Sequence, residues 1–197
     1  ASPSAIYHAD HMKIQIEREA CRAARGGTGA AKTGGNYAAS LQSAQNVQRR
    51  GYDQSLWLDP IEMKYIEELS GMNFFILQNG ELHTPKLNGS FLAGITRDSI
   101  ISLARHKGIT VVERDIPIQE VLTGIQSGAV SEIFACGTAA IVSPVSVIAD
   151  ADGTNYTVAK VDELAATLRQ SLLAIQEQRE ADPFSWTEKV AEHYSPA

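Results

Sequence analysis

From Lys13 to Arg18, apolar and polar residues alternate as they do in a strand that buries one face. The alternation breaks at a glycine-rich run, Arg25 to Tyr37, and Ala38 to Arg50 then carries its apolar residues at helical spacing. Gly51 stands where a left-handed C-terminal cap belongs. Short strands are predicted at Gln54–Leu58, Tyr65–Leu69 and Asn73–Gln78, the last closed by the hairpin dipeptide Asn79-Gly80. Thr96 to His106 reads as a helix ended by Gly108, Thr110 to Arg114 as a strand, Ile118 to Ile125 as a short helix and Glu132 to Cys136 as a strand. The β-branched stretch Ala140 to Val158, with its Asp152-Gly153 turn, predicts a hairpin, and Val161 to Glu180 predicts the longest amphipathic helix. Strands and helices intermingle without a regular βαβ beat, so the expected class is α+β.

With 197 residues, 44% of them hydrophobic and 20% charged, the chain can bury one sizeable core or at most two small ones. Its 17 Lys and Arg against 23 acids give a net charge of -6, and no basic stripe exists for a phosphate backbone, which argues against nucleic acid. The apolar stretch Ala139 to Ala149 is interrupted by Ser143, Pro144 and Ser146 and is too short to span a bilayer, so no membrane association and a cytoplasmic location are expected. Cys21 and Cys136 have no Cys or His neighbour at metal-ligand spacing and are expected to be reduced thiols, with no metal site. The chain opens Ala1-Ser2-Pro3 without Met, as a processed product or a fragment of something longer would.

Five glycines at 26, 27, 29, 34 and 35 surround a single lysine, Lys32, in a segment with little side-chain bulk, so a ligand can approach the backbone. A lysine so placed serves either as a point charge against phosphate or as the nucleophile of a Schiff base. Gly26 to Thr33 nearly spells a P-loop, and Ser55 to Asp59 resembles an apolar strand ending in a metal-binding Asp. The P-loop, however, requires Gly immediately before the Lys, and that residue is Ala31. Composition alone leaves three readings open: a surface loop with an incidental lysine, a Schiff-base loop, or a phosphate cradle.

Gly26-Gly-Thr-Gly-Ala-Ala-Lys-Thr-Gly-Gly-Asn-Tyr37 resembles the active-site signature of the branched-chain amino acid aminotransferases, pyridoxal-phosphate enzymes of fold type IV. The likeness extends from about residue 13 to residue 190. It is supported in order by Tyr65 to Phe74, by Gly94-Ile-Thr-Arg97, and by Gly137 to Val145. D-amino acid aminotransferases and aminodeoxychorismate lyases share the fold without embedding their lysine in this run. The resemblance implies a large C-terminal domain with a mixed, barrel-like sheet and flanking helices over residues 9–197. Residues 1–8 would be an interdomain linker, and an N-terminal domain would be absent from this chain.

The resemblance also implies roles. Lys32 would form the Schiff base with pyridoxal 5'-phosphate and move the proton between the substrate Cα and the cofactor, as a base. Tyr37 would hydrogen-bond the cofactor's phenolic oxygen. Glu67 and Glu68 are adjacent in a strand and must point to opposite faces, so an inward carboxylate needs a cationic partner. By the resemblance, Glu68 faces the pyridinium nitrogen. The free N–H groups of Ile95 and Thr96 at a helix start suit the phosphate, although a plain cap explains Thr96 equally well. Thr138 would contact the phosphate and, with Ala139, the substrate carboxylate, and Met72 would line the apolar substrate pocket.

Two departures stand out. Mammalian members carry a redox-active Cys pair where this chain has Ala140 and Ser143, so no such switch is expected. The missing N-terminal domain would supply a phosphate-binding arginine and walls of the substrate pocket. The implied reaction is amino-group transfer between leucine, isoleucine or valine and 2-oxoglutarate, by a ping-pong route in a homodimer. A truncated domain that binds cofactor or a partner without turnover is the alternative.

Overall fold

The computed structural model describes residues 11–188. Along them run β1 (Met12–Ile16), α1 (Gly34–Arg49), β2 (Gln54–Leu58), β3 (Ile66–Leu69), β4 (Asn73–Gln78), β5 (Glu81–Pro85), α2 (Ile95–His106), β6 (Val111–Arg114), α3 (Ile118–Ser127), β7 (Val130–Gly137), β8 (Ile141–Ala149), β9 (Asn155–Thr157) and α4 (Leu164–Gln176). The strands pair in the order β3-β2-β1-β8-β7-β4-β5-β6, and an added β3–β4 pairing at Glu68 and Asn73 closes the first six into a ring. The sheet is mixed: β1 lies parallel to β2 and to β8, β5 is parallel to β6 across α2, and the other pairs are antiparallel. Strands and helices combine as the expected α+β arrangement.

The central strands are buried on both faces, which explains why Phe74-Phe-Ile76 reads as a continuous apolar run rather than an alternation. Phe74 and Ile76 join the cluster that includes Ile14, Leu56, Leu69 and helix α3, whereas Phe75 faces the cluster built with α2 and α4. Phe75 stacks on Phe134 of β7 with ring centroids 5.0 Å apart. Each such ring, fully removed from water, contributes about 2 to 3 kcal/mol. Helix α4 is fastened to β7 by a buried carboxylate: Glu132 accepts from the Leu164 and Ala165 N–H groups at 2.8 and 2.7 Å, placing negative charge at the helix N-terminus.

Several expectations are corrected in detail. Helix α1 starts at Gly34 rather than Ala38 and, at 16 residues, exceeds the 13 of α4, which was expected to be the longest. Strand β5, Glu-Leu-His-Thr-Pro, has no apolar alternation to announce it, although Asn79 and Gly80, at φ 51° and 83°, form the turn that leads into it. No helix among the described residues is long and apolar enough to cross a membrane. The linker expected over residues 1–8 lies outside the described residues.

Candidate active site

The glycine-rich segment folds by tying itself to the helix it precedes. Asn36, buried in the first turn of α1, donates from Nδ2 to the carbonyls of Thr28 and Ala31, both at 2.8 Å, and accepts from the Thr28 hydroxyl at 2.7 Å. Lys32 is thereby held at the edge of the loop, exposed, one residue before the N-cap Thr33. From behind, the loop is pressed against the segment before α2. A β-carbon on Gly29 would stand 1.9 Å from the Ser90 carbonyl oxygen, so only glycine fits there.

A cavity of about 270 Å³ opens above this loop and gathers residues far apart in sequence. Lys32 and Tyr37 line it from the loop and α1, Glu68 and Met72 from the β3–β4 hairpin, Ile95 and Thr96 from α2, and Thr138 from the end of β7. Seven of the eight residues singled out from the sequence therefore meet in one pocket. The exception is Ala139, which is exposed on the β7–β8 turn and is not part of the lining. Met72 is 3% exposed and packs in the core while showing one side to the pocket, and its sulfur accepts from Gln54 Nε2 at 3.4 Å.

Glu68 is 3% exposed, and its Oε1 stands 2.6 Å from Nη1 of Arg22, itself buried. The approach is off the N–H axis, so Oε1 has no hydrogen-bond partner, and neither have Nη1 and Nε of Arg22. Burial pushes the Glu68 carboxyl up to about 8, against the pull of Arg22 and a Leu92 N–H, with Glu67 adding repulsion. A buried carboxyl that lines a pocket, held by an ion pair without a directed hydrogen bond at Oε1, fits a ligand that brings a cationic N–H. Glu67, on the opposite face, is equally buried but is satisfied within the fold: the Ser90 hydroxyl and Asn88 Nδ2 donate to it. Burial raises its carboxyl as well, against those two hydrogen bonds. Both faces of β3 are thus covered, and the two acids are buried on opposite sides of the strand.

At the far end of the cavity, α2 begins at Gly94, which has no side chain to cap the helix, so the first-turn N–H groups of Ile95 and Thr96 stay free for an anion. Gly94 is required by its neighbour, because a β-carbon would lie 2.2 Å from Asn73 Oδ1. Asn73 in turn donates to the Leu92 carbonyl at 2.9 Å. Arg97, buried on the same turn, anchors it by donating to the Pro85 carbonyl and to Glu113, each at 2.9 Å. Cys136 also lines the cavity, and burial raises its thiol to about 12, so it sits there as a neutral group. Sequence reasoning missed Arg22, Asn73 and Cys136. Only a buried-pair argument, which asks who neutralises Glu68, could have pointed to Arg22.

A larger cleft of about 630 Å³ adjoins the pocket and shares Tyr37 and Gly71 with it. Along it runs α1, which is inverted relative to a surface helix. Asn36, Ser40 and Ser43 are buried, while Tyr37 and Leu41 are 42% and 58% exposed.

The family described as amino-transferase class IV matches residues 1–148. The branched-chain-amino-acid aminotransferase 2 of Bacillus subtilis is 46% identical over 194 residues, covering 96% of this chain and 53% of that protein. Among solved structures, the branched-chain amino acid aminotransferase of Escherichia coli superposes with TM-score 0.78 at 31% identity, covering 93% of this chain and 58% of the other. That of Thermobaculum terrenum in its PLP form gives 0.75 at 26%, covering 89% and 54%. This chain spans about half the length of the relatives it matches. The match sets aside the P-loop reading of Lys32, and the ring of strands with four flanking helices has the fold-type IV arrangement. Taken with the pocket geometry, these similarities lead to one assignment: the chain belongs to the class IV amino-transferase family.

Proposed function

We propose that this chain is the cofactor-binding part, residues 9–197, of a branched-chain amino acid transaminase that uses pyridoxal 5'-phosphate. The observation that carries the reading is the buried Glu68 carboxyl in the same pocket as Lys32 and the free α2 amides. Three binding functions, for a ring nitrogen, an aldehyde and a phosphate, thus converge on one cavity. The similarity to branched-chain transaminases supports leucine, isoleucine or valine, with 2-oxoglutarate, as substrates.

When bound, the cofactor supplies an aldehyde that condenses with amines and a ring that takes up the electrons of the substrate Cα–H bond. Lys32 Nζ would hold the aldehyde and, once exchanged for the substrate amine, carry the proton from Cα. Glu68 would hold the proton on the ring nitrogen, Tyr37 would donate to the phenolic oxygen, and the Ile95, Thr96 and Thr138 groups would hold the phosphate. Met72 would line the apolar substrate pocket. Ala139 would touch the substrate carboxylate only from outside the present lining.

Tyr37, Ile95 and Thr138 are exposed on one side of the pocket, and α1 turns apolar residues outward. This supports a further region of the full-length protein, and a second copy in a homodimer, as cover for that side. Residues 1–8 would then form the linker to that region, and the whole would work in the cytoplasm. The same open wall favours a second reading, in which the 197-residue chain alone binds cofactor without turnover.

Incubation with pyridoxal 5'-phosphate, borohydride reduction and peptide mapping is the test. The label is expected on Lys32 and should be absent from Lys32→Ala, which folds normally but has no transaminase activity with leucine and 2-oxoglutarate. Label confined to any other lysine rejects the assignment.

A further inference from the structure

We propose that Arg22 is a positioning residue for the cofactor ring: its buried guanidinium aims the Glu68 carboxyl and favours its ionised form, so that the proton shared with the ring nitrogen is shifted toward the nitrogen. The inference rests on the cofactor reading above. It begins from an imbalance in the pocket. Arg22 lies in the loop between β1 and α1 with its side chain 6% exposed, and its one ionic contact among the described residues is Glu68 at 2.6 Å. Its Nε and Nη1 hydrogen-bond nothing. A guanidinium that spends its charge on a single carboxylate, and does so without directed hydrogen bonds, acts as a counter-charge rather than as a clamp.

The remaining groups around Glu68 do not supply that charge. Glu67, next to it on β3, repels; Leu92 contributes one backbone N–H. Cys136 on β7 is neutral, and Lys32, which lines the same cavity, would be committed to the cofactor aldehyde. Arg22 is therefore the cation that offsets part of the cost of burying the Glu68 charge. Without it, the shared proton moves from the ring nitrogen to the carboxyl, leaving a neutral ring that accepts a hydrogen bond and withdraws electrons less strongly.

The ring nitrogen can be watched directly. Wild type, Arg22→Lys and Arg22→Met would be loaded with cofactor labelled with nitrogen-15 in the ring, and its chemical shift recorded at neutral pH. A protonated ring is expected in wild type and Arg22→Lys, and loss of the protonated signal in Arg22→Met. A role confined to packing would lower the amount bound without changing the protonation state. If wild type takes up no cofactor on Lys32, the cofactor reading fails and takes this inference with it. If Arg22→Met binds and keeps its ring protonated, the inference alone is overturned. Should Arg22→Met fail to fold, Arg22→Met/Glu68→Gln decides: recovery of folding shows that Arg22 acts through the Glu68 charge, and continued failure shows that it does not.

Discussion

Glu67 and Glu68 are neighbours on β3, equally buried, and differ in what surrounds them. On one face Oε1 of Glu67 accepts from Ser90 and Asn88, neutral donors from the fold itself that line a second cavity with it. On the other, Glu68 has a cation beside it, an oxygen that accepts no hydrogen bond and a cavity in front. Burial alone does not separate a structural carboxylate from a chemical one. What distinguishes the two is the buried cation beside Glu68 and the lack of a directed hydrogen bond to its Oε1, which calls for an explanation.

The contrast is broken most severely by Glu68→Gln. Losing the charge opposite the ring nitrogen is expected to lower kcat by about 100- to 1000-fold, the range for removing one preorganised electrostatic partner. Assayed side by side, Glu67→Gln should keep nearly all activity; equal losses would put the chemistry on the wrong face. A pH signature accompanies this effect. In the cofactor-free chain the Glu68 carboxyl is raised to about 8. Between its unfolded value and that figure, the unfolded state binds fewer protons than the folded one, so stability falls as pH rises through this window. Denaturant unfolding of Glu68→Gln at a series of pH values should lack that share of the slope.

Much of this asymmetry was legible in the sequence. The period-2 rule put Glu67 and Glu68 on opposite faces, and the glycine-rich run marked Lys32. The environment of the two acids was not legible, because it is made by residues brought in from elsewhere. Arg22 sits in a stretch that reads as a basic loop, and Ser90 sits in one with no periodicity at all. Strand β5 escaped for a related reason, since Glu-Leu-His-Thr-Pro earns its place by pairing with β4 and β6 rather than by its own pattern. The early start of α1 at Gly34-Gly35 runs against helix propensity and is fixed by the bonds from Asn36 to Thr28 and Ala31.

The two faces are joined through Ser90, whose hydroxyl serves Glu67 and whose carbonyl lies against Gly29. Gly29→Ala forces a carbon into a space 1.9 Å from backbone oxygen, and backbone cannot swing aside as a flexible side chain would. Overpacking of this kind costs about 1 to 3 kcal/mol, and the loop bearing Lys32 is the lighter partner and should yield. The expected result is a lower Tm together with slower labelling of Lys32. Unchanged labelling would show that the loop position does not depend on the Glu67 side of the strand.

Glu67→Gln itself should have the smallest effect, and its size should depend on pH in a defined direction. The substitution preserves shape and one acceptor, so Ser90 and Asn88 still find a partner. The lost share of those bonds is worth about 1 kcal/mol, or a Tm shift of about 2 to 4 °C for a chain of this size. Burial raises the Glu67 carboxyl above its ordinary range. Its ionised form is therefore the costly one in the folded protein, and wild-type stability from this group is greatest at low pH and declines as pH rises through the raised value. Glutamine carries no charge at any pH and has no such decline. The deficit of Glu67→Gln relative to wild type should consequently be largest near pH 4 and shrink toward pH 8. A deficit that grows with pH would mean that the ionised carboxylate is the form the fold prefers, with the nearby Arg22 or Arg25 outweighing burial.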